Sequence, residues 1–245
     1  MRNVEGVFLS VLLMPGRVCA PVLRQALVVA LCLAATPASA QTPPSAAELT
    51  LYTGLHAAAA RGDVAAIGRA TGRDIDERDG HGRTPLMVAV HEQRYAAVRA
   101  LIAAGADLEA LDDERYDAVT IAAVANDVEM LRIVLEAGAS AAQITSPYDG
   151  TALIAAAHLG HVEVVRMLIA AGAPLDHVNN LGWTALIESI VLGDGGPAHV
   201  ATLKALVDAG ADVNIADRNG DSPLALARRA GHKEMERILL AAGAK

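Results

Sequence analysis

The chain has 245 residues, 53% of them hydrophobic but only 2% aromatic, and a formal net charge of −8. That apolar share argues against a disordered chain, and the acidic balance argues against a nucleic-acid binder, which needs a basic face for phosphates. With one Phe, one Trp and four Tyr, the core has to come from Ala, Leu, Val and Ile, a composition that fits closely packed helices.

The first forty residues read as a cleavable secretory leader. Ala26–Ala35 is a ten-residue apolar run with Arg17 and Arg24 before it. Ala38-Ser39-Ala40 follows, then Gln41-Thr42-Pro43-Pro44. A basic end, a short apolar stretch and small residues at the cut form the signal-peptide layout, whereas a membrane span needs about twenty residues. Leu31 is too large for the small residue a lipoprotein signal carries before its cysteine, here Cys32. Met14, just ahead of Pro15-Gly16-Arg17, offers a second translation start; otherwise residues 1–13 are a genuine extension. Cys19 and Cys32 both lie in this segment, so cleavage after Ala40 leaves no disulfide and no thiol chemistry. It also leaves 17 basic and 27 acidic residues, which sets the chain further against nucleic acid and anionic membranes. Residues 41–47 read as a flexible mature N-terminus, and 48–245 as the folded domain.

A repeat organises that domain. Ala-Gly-Ala recurs around Gly105, Gly138, Gly172, Gly210 and Gly243, in steps of 33, 34, 38 and 33. Thr84-Pro85-Leu86, Thr151-Ala152-Leu153 and Ser222-Pro223-Leu224 stand 21 residues before their glycines, and Thr184-Ala185-Leu186 stands 26 before Gly210. Asp117-Ala118-Val119 is the degenerate counterpart. Thr, Ser or Asp accepts an orphan N–H at a helix start, and Pro fits the first turn. A short helix follows, such as 85–92. A turn residue stands nine positions after each cap: Asn126, Gly160, Gly193 and Gly231, with Gln93 less ideal. A second helix (96–104, 128–136, 162–170) then runs to the Gly of Ala-Gly-Ala. The 38-residue step carries five extra residues, Asp194–Ala198, read as a loop that is either a tolerated insertion or a second contact.

A cap, two short helices and a turn at this period resemble the ankyrin repeat. The resemblance spans about residues 48–245 in six units, the first and last being end caps. Thr-Pro-Leu, Gly-His-Val-Glu-Val-Val at 160–165 and Gly-Ala-Asp at 105–107 and 210–212 carry it. The family's His after Thr-Pro-Leu is replaced by Met87, Ile154, Ile187 and Ala225, and only Leu55-His56 keeps it. The resemblance implies an all-α solenoid of stacked helix-turn-helix units joined by hairpin-like loops, and a non-catalytic module that binds a protein partner.

Such stacks present two variable zones, the hairpin tips and the concave ends of the first helices. Arg83, Tyr116 and Trp183 share the position before the cap, and Tyr148 lies two residues earlier in its own tip. Each ring is either a binding anchor or a shield for its own turn. His91, Glu92, His158, Leu159 and Arg229 fall at the concave helix ends, where the charged members also fit a solvated face. Together these nine residues are the candidate protein-binding set. Asp112-Asp113-Glu114 reads as solvated charge, since consecutive carboxylates lack chelating geometry.

The eight histidines (56, 81, 91, 158, 161, 177, 199 and 232) form no HExxH set, and His161, His199 and His232 share one repeat position, which marks them as scaffold. No nucleophile elbow, P-loop or dinucleotide fingerprint appears. An enzymatic reading survives only as a carboxylate–His pair in the groove. The expectation is therefore a monomeric periplasmic adaptor or modulator without cofactor or metal, or else a secreted effector or inhibitor acting on a foreign protein.

Overall fold

The computed structural model describes residues 41–70 and 75–245. The expected leader, residues 1–40, lies outside the described residues. Among the described residues the regular structure is thirteen helices, and the only bridge of β type is the isolated Thr145–Gly150 pair.

A short helix α1 (Ala46–Leu51) precedes six helical hairpins. The hairpins are α2 (Gly54–Arg61) with α3 (Val64–Ile67), α4 (Pro85–His91) with α5 (Tyr95–Ala103), and α6 (Ala118–Val124) with α7 (Val128–Glu136). Then come α8 (Ala152–His158) with α9 (Val162–Ala170), α10 (Ala185–Val191) with α11 (Pro197–Asp208), and α12 (Pro223–Ala230) with α13 (Lys233–Ala241). The first helices stack on one another in one layer, and the second helices do so in another. One continuous core runs between the layers, made of small and branched residues such as Ala89, Leu101, Ile121, Leu131, Leu153, Leu168, Ile187 and Leu203. The all-α solenoid expected from the repeat is the fold observed.

The expected caps close these helices. Thr84, Asp117, Thr151, Thr184 and Ser222 each accept the backbone N–H three residues on. Second helices end in a left-handed glycine, as at Gly105 with φ +90°, and Ala106 N then bonds back to Leu101 O at 3.0 Å. Gln93 and Asn126 adopt positive φ in the turn between helices, as Gly160 and Gly231 do.

Gly193, expected as the turn residue of the fifth unit, does not take the left-handed turn; Gly195 does, at φ +68°. The five extra residues displace the turn by two positions, and they are not all loop. Pro197 and Ala198 open α11, which grows to 12 residues. Pro suits the first helical turn because its missing donor is not needed there.

The hairpin tips share one device. Asp79, Asp112, Asn179 and Asp217 each use Oδ1 to accept two backbone N–H groups, two and four residues on. A carboxylate or amide oxygen held this way mimics a backbone turn. The fourth unit uses Ser146 Oγ instead, and its tip closes from Thr145 to Gly150, one residue longer. That residue accounts for the 34-residue step. Neighbouring tips are joined by backbone bonds: Asp113 N to His81 O (3.0 Å), Ser146 N to Arg115 O (2.9 Å) and Asn180 N to Tyr148 O (2.9 Å).

Part of the segment 41–47 lies against the repeats. Ser45 and Glu48 form a reciprocal capping box at α1, Gln41 and Pro44 are buried, and Thr42 bonds to two successive tips.

Candidate functional site

The nine candidate residues separate into buried supports and an exposed group. Arg83 is fully buried. Its Nε donates to Asp79 Oδ2 at 2.7 Å, its Nη1 to Thr42 O at 2.9 Å, and its Nη2 pairs with Glu48 Oε1. Tyr52 Oη also donates to Asp79 Oδ2, at 2.6 Å. Burial pushes the Asp79 carboxyl up, but hydrogen bonds from Tyr52, His81 N and Arg83 outweigh it and hold the group at about 2. Ser45 bonds, with Arg83 behind them, hold Glu48 at about 2. Arg83 therefore fastens the N-terminal segment to the first tip and is not an exposed contact. Tyr116 is likewise buried, at 4% exposure, and burial pushes its hydroxyl up to about 12. Tip position alone does not decide exposure, because chain from outside the repeat lies against these two tips.

Tyr148 and Trp183 differ. Tyr148 is half-exposed and its carbonyl receives Asn180 N from the tip that carries Trp183. Trp183 is partly buried against the core. Two aromatic side chains thus stand on adjacent, hydrogen-bonded tips. In the first-helix layer of the same two units, His158 and Leu159 are exposed at the end of α8, and Val191 and Leu192 are half-buried at the end of α10. Arg229 is exposed in the next unit, paired with Asp221 at 2.5 Å. His91 and Glu92 are only half-buried and lie four units away from Arg229. Burial, with Arg83 nearby, pulls the His91 imidazole down to about 4, so at neutral pH it is an uncharged ring and not a surface cation.

The acidic tip is not uniformly solvated. Asp112 is 8% exposed, since it is the staple of its own turn. The shared repeat position does mark scaffold histidines: His161 Nδ1 bonds to Ala123 O at 3.0 Å and His199 Nε2 to His158 O at 2.9 Å. Arg94 performs the same task on Ala60 O. Each reaches back to a terminal carbonyl of the preceding unit's first helix, where such groups lack intrahelical partners. His56, the retained family histidine, bonds to Arg83 O at 3.0 Å.

Sequence reasoning missed Glu188. It lies on α10 at 4% exposure, and Asn179 Nδ2 donates to its Oε1 at 2.9 Å. Its Oε2 has no hydrogen-bond partner. The signal was present: the equivalent first-helix positions hold Val88, Ile121, Ala155 and Leu226. Burial pushes the Glu188 carboxyl up to about 7.

These features define a class first: a solenoid of helical hairpins whose exposed ends and tips make a contact surface. Comparison with known proteins gives the family. The model for ankyrin repeats (3 copies) matches residues 55–145 and 140–217. An ankyrin repeat protein of Escherichia coli (strain K12), YahD, is 37% identical over 190 residues, covering 76% of this chain and 94% of that protein. A crystal structure of an ankyrin repeat domain from Acinetobacter baumannii AYE is similar at 46% identity and a TM-score of 0.74, over 78% of this chain and 98% of that one. The ankyrin repeat domain of Bcl-3, a member of the IkappaB protein family, is similar at 30% identity and a TM-score of 0.70, over 79% and 87%. The chain belongs to the ankyrin-repeat family, a non-catalytic protein-interaction fold.

Proposed function

We propose that this protein is a periplasmic adaptor or modulator that grips one protein partner along its fourth and fifth units. The observation that carries the reading is the pairing of Tyr148 and Trp183 on tips joined by Asn180 N to Tyr148 O, beside the exposed His158 and Leu159 in the first-helix layer of the same units. Aromatic side chains on rigid supports are favoured binding anchors, because they bury large area with little entropy lost. The periplasmic part rests on the leader layout of residues 17–44 and on the absence of cysteine after Ala40. A monomer with no cofactor completes the reading, since the stack buries its core internally.

Two measurements test it. Cell fractionation with N-terminal sequencing should find the chain beginning at Gln41 in the periplasm; an uncleaved cytoplasmic chain overturns that half. Cross-linking in the exported compartment should capture a discrete partner, and the pair of substitutions Tyr148→Ala and Trp183→Ala should lose it while helicity is unchanged. Unchanged capture overturns the tip surface.

A further inference from the structure

The fourth and fifth units meet at an incomplete polar contact. Glu188 Oε2 is fully covered and unpartnered, and His158 Nδ1, at the end of α8 in the preceding unit, lies 3.6 Å from it. That gap is too long for a hydrogen bond. The His158 side chain is 48% exposed, while its carbonyl is pinned by His199 Nε2 at 2.9 Å. Side-chain rotation alone can therefore close the gap without moving the helix.

A buried carboxylate with one empty oxygen is costly, and the cost falls when a proton bridges it to a neighbouring base. Few other charges intervene. Neither α6 nor the rest of α10 carries an ionisable group. From α11, His199 faces the pair, and its Nδ1 lies 2.9 Å from Asp194 Oδ1. From α12 come Arg228 and Arg229, each tied to its own carboxylate, Glu236 at 2.8 Å and Asp221 at 2.5 Å. Burial pushes Glu188 up to about 7, while burial, with His199 nearby, pulls His158 down. The two groups are thus brought toward one another in proton affinity.

We propose that Glu188 and His158 act as one site that takes up a single proton from solvent, closing a bond between the fourth and fifth units and changing the charge of the first-helix face by one. With the proton, it lies between Oε2 and Nδ1, the pair is neutral, and the ring is drawn inward. Without it, the pair carries one negative charge and the contact is looser. The pair's titration stands apart from any partner. Its consequence, a hold on a partner that varies with pH, rests on the reading of this face as the contact surface.

Nuclear magnetic resonance of the whole labelled chain tests the pair without a partner. Between pH 4 and 9, the Glu188 carboxyl and the His158 ring should report one common midpoint near neutrality. Glu188→Gln, which keeps the acceptor for Asn179, should remove that step from the ring and leave it a separate, lower midpoint. His158→Asn, at an exposed position, supplies the reciprocal measurement on Glu188, whose midpoint should move. A Glu188 carboxyl that titrates in the ordinary carboxylate range, or a His158 curve that Glu188→Gln leaves unchanged, overturns the proposal. Such a failure leaves the contact-surface reading intact, which only the capture experiment decides.

Discussion

Asn179 Nδ2 donates to Glu188 Oε1 at 2.9 Å, tying a hairpin tip to the helix beneath it. Three other tips have Asp at this position: Asp79, Asp112 and Asp217. All four use Oδ1 to close the turn, but only the amide has a proton to spare for a carboxylate. Asn179 and Glu188 are therefore a matched pair. Asn179→Asp would keep the turn and place two carboxylates together. We expect a loss of roughly 2–4 kcal/mol at pH 8, smaller at pH 5, where Glu188 holds its proton. Glu188→Gln should restore most of it in the double variant. Urea melts of the four proteins at both pH values measure the cycle, and additive effects would contradict the pairing.

Arg83→Ala should release the N-terminal segment. It removes the bonds to Asp79 and Thr42 O and the pair with Glu48. Removing one partner of a buried ion pair typically costs about 3–5 kcal/mol, and here the loss should be local. Hydrogen exchange of the α1 amides, 46–51, should accelerate sharply, while α8 and α10 keep their protection.

Asp117 caps α6 from a site with 1% exposure, and burial pushes its carboxyl up to about 6 against the bond from Thr120 N. The folded value is above the ordinary value of 3.8. Its contribution is therefore complete below about pH 4 and lost as pH rises through about 6. Asn caps a helix as well as Asp does without the charge. Asp117→Asn should raise stability at pH 7.5 by up to roughly 3 kcal/mol and leave it nearly unchanged at pH 4. Equal melting shifts at both pH values would refute this.

Gln93 takes φ +53° between α4 and α5, where Gly160 and Gly231 stand in other units. A left-handed residue with a Cβ costs about 1–2 kcal/mol. Gln93→Gly should therefore stabilise the chain by about 0.5–1 kcal/mol, read as a rise in the denaturation midpoint at constant slope.

The repeat was legible because each unit restates the same physics: an oxygen cap, an apolar helix, a left-handed turn, a second helix and a glycine. Repetition let Asp117 be recognised as a cap despite the missing Thr. Departures were harder to place. Gly193 fell in the expected column, yet the insertion after it moved the turn to Gly195. Arg83, Tyr116 and Trp183 share a column but not an environment, since Thr42 arrives from 41 residues upstream to bond Arg83. Register along a chain does not encode such an arrival. Glu188 was visible as an acid in an apolar column, but its empty oxygen and its distance from His158 belong to the packing of two units.

The backbone bonds between tips run from the second unit to the fifth. Among the described residues none joins the fifth tip to the sixth; there Gly182 meets the Arg218 side chain instead. Helical packing carries that last junction together with one bond at the base of the loops, Asp212 N to Asp176 Oδ1 at 2.9 Å, and Lys245 N bonds to Asn214 Oδ1 within the sixth unit. Unravelling should thus begin at α13 and peel off one whole hairpin, so that a protease trims the array to a shorter stack whose fourth and fifth members are still in place.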